Sequence, residues 1–235
     1  MPGRTNIKLA DLVGVFAVNS ADTSSIIPFS GINYIVPPRC SFLLSDVSNP
    51  HLLPPNVQYD LIVMDPPWEN KSVKRKKNYQ MVRDFELEDI PIGQLATDGC
   101  LVVTWVTNKQ QQQQLVKETL FPKWGITPLA TWYWLKVTTE GEPVYPMRSQ
   151  HSKKPYEALI LGCKSLSPPL KIPDHKVILS IPSCIHSHKP PLHDILQDFL
   201  PSSTPRCLEI FARSLHPRWT SWGNEVSSDN ISKIE

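Results

Sequence analysis

The chemistry-bearing stretch that stands out in this chain is Asp65-Pro66-Pro67-Trp68, directly behind Tyr59-Asp60-Leu61-Ile62-Val63-Met64. The unbroken apolar run Leu61 to Met64 reads as a strand buried on both faces, as in the middle of a parallel sheet. Neither proline can donate to a ladder and both fix φ, so the strand must stop there. A carboxylate, two carbonyls without the usual amide neighbours and an indole are thereby held at the carboxyl end of a buried strand, where ligands bind in open α/β sheets. The plainer reading is a Pro-Pro turn with Trp68 as packing.

Other clusters bear chemistry too. Lys71, Lys74, Arg75, Lys76 and Lys77 follow Trp68 closely. Such a run is commonly a solvated face, and its position also suits contact with a nucleic-acid backbone. Ser187-His188-Lys189-Pro190-Pro191 precedes an amphipathic segment. Cys184, His186 and His188 alternate with His193 nearby, but no second pair at zinc spacing exists, so no metal is expected. Glu209 and Arg213 sit at the end of another apolar run, as an ion pair or as a clamp for a ligand hydroxyl. Glu157 opens a further run and reads equally as a partner of Lys153 or Lys154 and as a substrate contact.

The elements that must position these groups are legible as apolar runs. Strands are expected at 41–46, 59–64, 99–106, 129–137, 157–163, 177–181 and 207–213, with a weaker one at 13–18 and turns over 20–38. Helices are expected from Asp84 towards Ala96, with acids in the first turn, from Gln110 to Leu120 capped by Asn108, and behind Pro190-Pro191, where Leu192, Ile195, Leu196 and Phe199 recur at helical spacing. Trp132 and Trp134 read as core and edge packing. Strands alternating with helical segments make a doubly wound α/β sheet.

Composition sets the outer bounds. The 235 residues suffice for a full core, and 24 basic against 22 acidic residues leave a net charge of only +2, so nucleic-acid binding must come from a local patch. The 24 prolines against 9 glycines punctuate a loop-rich fold. Five dispersed cysteines without a CxxC pair suggest reduced, buried thiols in an intracellular protein. No apolar stretch approaches the ~18–20 residues of a membrane span, and no secretory signal opens the chain.

Asp65-Pro66-Pro67-Trp68 resembles the signature of the MT-A70 family of adenine-N6 methyltransferases. Ser187-His188-Lys189-Pro190 is similar to that family's lysine motif, Glu209-Ile210-Phe211-Ala212-Arg213 to its S-adenosylmethionine strand, and Trp219 through Glu225 to its closing Trp-x-x-x-Gly-Asn segment. Asn70 to Arg75, Thr104 to Asn108 and Lys154 to Glu157 look most like the methyltransferase-like-four branch. The resemblance implies a Rossmann-like methyltransferase fold in permuted form, with the catalytic motif before the cofactor strand. It divides the chain into an N-terminal arm (1–40), a methyltransferase domain (41–226) and a polar tail (227–235).

The resemblance also implies roles. Asp65, Pro66, Pro67 and Trp68 would be catalytic: the carboxylate and the Pro66 carbonyl accept from N6 of adenine, and Trp68 stacks on the base. S-adenosylmethionine would be held by Asp46, Val47, Asp65, Lys189, Glu209, Phe211, Arg213, His216, Asn224 and Glu225, the last standing where the family often has Gln. Substrate contacts would come from Asn70, Lys71, Lys74, Arg75, Trp105 and Glu157. The implied substrate is an internal 2′-O-methylated adenosine of small nuclear RNA, with deoxyadenosine in DNA as the rival. No obligate protein partner is evident. The nucleus is the expected compartment, with cytoplasm and mitochondrion behind it. The alternative function is a non-catalytic nucleic-acid-binding scaffold; such members lose the tetrapeptide, and here Asp65 to Trp68, Lys189 and Asn224 all stand.

Overall fold

The structure is a computed structural model that describes residues 9–29, 32–68, 87–147, 153–165, 170–183 and 188–225. The strands are β1 (Phe16–Val18), β2 (Ser25–Phe29), β3 (Ile32–Val36), β4 (Ser41–Leu44), β5 (Tyr59–Met64), β6 (Ala96–Val106), β7 (Ile126–Lys136), β8 (Tyr156–Lys164), β9 (Val177–Ser180), β10 (Cys207–Ile210) and β11 (Trp219–Gly223). Nine form one sheet in the order β1-β4-β11-β10-β5-β6-β8-β7-β9, and β2 and β3 pair separately. From β4 to β6 neighbouring strands run parallel; β8 is antiparallel to both its neighbours, and β1 is antiparallel to β4.

The alternation of side chains splits the core. Ile62, Met64, Val102, Leu208, Ile210 and Trp222 share one buried cluster with Val116, Leu120 and Phe121 from the helical segment behind β6. Leu61, Val63, Val103, Trp105, Trp132 and Trp134 face the other way, onto Leu192 and Leu196. The β5 run is buried on both faces, as its composition requires, and Trp132 and Trp134 are core residues.

Strand β5 leads on to β6 on one side, whereas β10 leads to β11 on the other, and the two are paired with Met64 opposite Ile210. The carboxyl ends of β5 and β10 therefore flank a topological switch point, the place where an open α/β sheet leaves a crevice for a ligand. Asp65 directly follows β5, the earlier of these two strands in the chain, so the permuted order is present. Only residues 211–218 connect β10 to β11, shorter than the roughly dozen residues a parallel crossover usually takes, and they carry no helix.

Several local expectations are corrected. The stretch 20–38 is not only turns: Ser25–Phe29 and Ile32–Val36 form an antiparallel hairpin, a pattern that Pro28 disguised. Of the helix expected from Asp84 to Ala96, residues 84–86 lie outside the described ones; Leu87 and Glu88 are helical, the chain turns over 89–91, and α1 (Ile92–Leu95) ends where Ala96 pairs with Tyr59. Asn108 does not cap the next helix. Its Nδ2 donates to the Tyr156 carbonyl at 2.7 Å, and Lys109 takes the cap position without a side-chain bond. That helix begins as α2 (Gln110–Gln114), widens into a π-helical stretch, Leu115–Leu120, and closes as α3 (Phe121–Lys123). Behind the proline pair, α4 (His193–Leu196) is a single turn followed by a 3-10 turn, Gln197–Phe199. β10 ends at Ile210 and not at Arg213, since Phe211 turns to φ 62°.

Candidate active site

Four charged side chains of alternating sign converge beyond the ends of β5, β7 and β8. Asp65 extends from β5, and its Oδ2 accepts from Lys189 Nζ at 2.9 Å. Lys189 also lies 3.1 Å from Glu157 Oε2, and the other Glu157 oxygen accepts from Lys136 at the end of β7. The partners of Glu157 are thus Lys136 and Lys189, where the sequence suggested Lys153 or Lys154. Each lysine also rests on an indole: Lys189 sits 5.5 Å from the Trp105 ring centre and Lys136 4.6 Å from that of Trp134, with the two rings edge to face. Cation–π attraction strengthens as such a site is desolvated.

The charges hold one another in their ionised forms. Burial works against the ammonium of Lys189, but Asp65 and Glu157 outweigh it and raise its pKa above the ordinary lysine value. Burial likewise raises Glu157, and Lys189 and Lys136 together more than reverse it, so its carboxyl titrates below the usual range. Glu209 is the exception. It stands on β10 between Val63 and Ser221. Burial, with Asp65 adding repulsion against a smaller pull from Lys189, pushes its pKa up to about 8. Its Oε2 is shut off from solvent without a hydrogen bond, 3.6 Å from His216 Nε2.

The tetrapeptide is locked by its own backbone and by Trp68. Trp68 N–H donates to the Pro66 carbonyl at 2.8 Å, and the indole Nε1–H donates to the Trp105 carbonyl at 2.8 Å. The ring is half-buried beside the core. Trp105 itself is almost fully buried, so it serves as the floor beneath Lys189.

Asp65, Trp105, Lys189, Glu209, Phe211, Arg213 and His216 all line one cleft of about 1040 Å³. Arg213 pairs with Glu225 through Nε–Oε2 at 3.5 Å, and not with Glu209. The remaining expected cofactor residues stand one and two strands away. Asp46 is exposed beyond β4, its carboxylate accepting from Ser48 N–H at 2.8 Å. The Val47 side chain packs in the core. Asn224 follows β11 and is exposed. Trp222 Nε1–H donates to Ser45 Oγ at 3.0 Å, tying the ends of β11 and β4 together. Asn70, Lys71, Lys74 and Arg75 lie outside the described residues, as do Cys184 and His186 of the histidine cluster. Among the described residues no three His, Cys, Asp or Glu side chains gather as metal ligands. Lys136 is the site residue the sequence reading missed; a lysine closing an aromatic strand carries no signal of its own.

The MT-A70 profile matches residues 59–225, from the first residue of β5 to Glu225. The chain belongs to the MT-A70 family. It is 45% identical over 233 residues to the human N(6)-adenine-specific methyltransferase METTL4, covering 94% of this chain and 49% of that protein. A DNA N6-methyl methyltransferase of Caenorhabditis elegans is 40% identical over 211 residues, covering 88% of this chain and 57% of its own length. An N6-methyladenosine RNA methyltransferase, MTA1, of Pyricularia oryzae is 36% identical over 208 residues, covering 82% and 54%. This chain spans about half the length of the curated relatives it matches. The MT-A70 tetrapeptide, lysine motif and closing segment fall inside the matched residues, and Asp65 and Lys189 meet at the switch point.

The donor set fits S-adenosylmethionine. Lys189 suits its carboxylate, Asp65 its ammonium, and Glu209 offers the cleft a buried carboxyl oxygen that the protein leaves without a hydrogen bond.

Proposed function

We propose that this chain is an S-adenosylmethionine-dependent N6-adenine methyltransferase acting on nucleic acid. Its substrate in this reading is an internal 2′-O-methyladenosine of small nuclear RNA in the nucleus, with deoxyadenosine in DNA as the rival. The observation that carries the reading is Asp65 at the switch-point cleft, oriented by Lys189 at 2.9 Å.

The exocyclic nitrogen of adenine is conjugated with the ring and a poor nucleophile. Acceptors against its hydrogens favour a pyramidal nitrogen with a usable lone pair. With Asp65 Oδ2 held by Lys189, Oδ1 remains to accept from N6, and the Pro66 carbonyl is the second acceptor. Trp68, its ring fixed by the bond to the Trp105 carbonyl, provides a face for the base, and stacking of this kind contributes ~1–3 kcal/mol regardless of sequence. Bound in the cleft, S-adenosylmethionine would supply an electrophilic methyl group on a sulfonium. The protein's part is positioning: Lys189, Asp65 and Glu209 orient the ligand, and the Lys136–Glu157 pair keeps Lys189 in place. N6 becomes acidic once methylated, so its proton can pass to Asp65 or water without a strong base. The target base must be unpaired or flipped to reach Asp65.

The test is label transfer from S-[methyl-³H]adenosylmethionine to single strands bearing 2′-O-methyladenosine, adenosine or deoxyadenosine in one context. Label in N6-methyladenine, greatest for the 2′-O-methylated RNA, supports the full reading. Equal label in all three removes the substrate assignment, and no label in any removes the activity.

A further inference from the structure

The cleft that holds Asp65 does not end at the catalytic groups. It runs along the face of β10 past Cys207 to the opposite ends of the strands, where Arg39, Arg206 and Arg218 line it. Phe211 lies five positions beyond Arg206, which at ~3.3 Å per residue puts the two ends roughly 16 Å apart.

Two of the three arginines hold strained backbone. Arg39 has φ 51° and Arg218 φ 66°, the left-handed region that disfavours any residue with a Cβ. Non-glycine residues held there cluster at ligand sites. The two lie on adjacent loops, joined by Arg218 N–H donating to the Pro38 carbonyl at 3.3 Å. Arg206 and Arg218 are exposed; Arg218 shares the field of the exposed Asp22 carboxylate, and the Arg206 backbone N–H donates to Asp60 Oδ2 at 2.9 Å. Arg39 pairs with Asp22, but both side chains are more than half exposed, so a competing anion displaces that contact at little cost. Between the arginines and the catalytic groups Trp219 offers a half-buried ring, with His216 edge-on at 6.2 Å.

We propose that Arg39, Arg206 and Arg218 form a phosphate-binding mouth that seats the backbone of the single strand whose target base enters at Asp65. Guanidinium forks match phosphate oxygens, and cations tracking a backbone beside an aromatic wall are how single strands are held without regard to sequence. The inference rests on the proposed function for the identity of the strand and adds where that strand lies.

The test uses the full chain and a fluorescein-labelled single strand of about twelve nucleotides, within the site sizes of single-strand binders, beside a dinucleotide. Binding is followed by anisotropy across a salt series for wild type, Arg206→Gln/Arg218→Gln and Arg206→Lys/Arg218→Lys, with circular dichroism confirming equal folding. Each lost phosphate contact lowers the slope of log affinity against log salt by ~0.7. The Gln pair is therefore expected to lose about 1.4 of slope on the long strand, the Lys pair to keep most of it, and dinucleotide methylation to be unchanged. An unchanged slope, equal weakening with the dinucleotide, or preferential competition by polyglutamate, which would assign the mouth to an acidic protein, overturns the proposal. Methyl transfer by wild type with no slope change in the Gln pair refutes the mouth alone. A slope change without any methyl transfer refutes the activity alone.

Discussion

Replacing Glu209 with glutamine removes a carboxyl that the fold holds against its charged form. Its pKa is pushed from 4.5 to about 8, first by burial and then by Asp65, with Lys189 pulling the other way. Because the folded value is the higher one, stability is fully present below about pH 4.5, and it is lost as pH rises through about 8. The loss across that window is at most about 5 kcal/mol. For a chain of this size each kcal/mol corresponds to ~2–4 °C in Tm, so the ceiling is ~10–20 °C. Glu209→Gln has no such titration. Its Tm relative to wild type is expected to climb between about pH 5 and about pH 9, measured by thermal unfolding in matched buffers. A difference that stays flat with pH, or that narrows as pH rises, would refute the assignment of Glu209 as a desolvated carboxyl. The same side chain lines the cleft that Asp65 and Lys189 line.

Two further perturbations test the neighbouring contacts. Lys189→Met leaves Asp65 and Glu157 without their shared cation; removing one member of such a partly buried pair costs about 3 kcal/mol, read as a lower urea midpoint, with methyl transfer lost. Gly223→Ala puts a Cβ within 2.8 Å of the Ala212 carbonyl oxygen, and the required backbone shift is expected to cost about 1–3 kcal/mol; equal stability to wild type in urea would contradict that close approach.

The strands were legible because burial on both faces leaves runs such as Leu61–Met64 and Leu101–Val103 with no polar interruption. The position of Asp65 followed from the prolines alone. What composition does not encode is which strands are neighbours: the pairing of β5 with β10 joins residues far apart in sequence, and it decides that Glu209 and Asp65 share a cleft. The partners of Glu157 were missed for the same reason. Lys136 reaches it across the β7–β8 pair, whereas Lys153 and Lys154 were merely close along the chain. Asn108 looked like a helix cap by residue type, but a nearby strand carbonyl offered its amide a better partner. Arg39, Arg206 and Arg218 come from three loops and form no run, so their convergence is visible only in the fold.

The most direct measurement is the initial rate of methyl transfer to an adenine-containing single strand, at saturating S-adenosylmethionine, for wild type against Asp65→Ala. The account predicts that wild type labels N6 and that the variant, although folded, is slower by at least about 100-fold, the scale on which a preorganised hydrogen-bonding group contributes to a transition state. Equal incorporation by both proteins, or none by wild type with cofactor demonstrably bound, would contradict it.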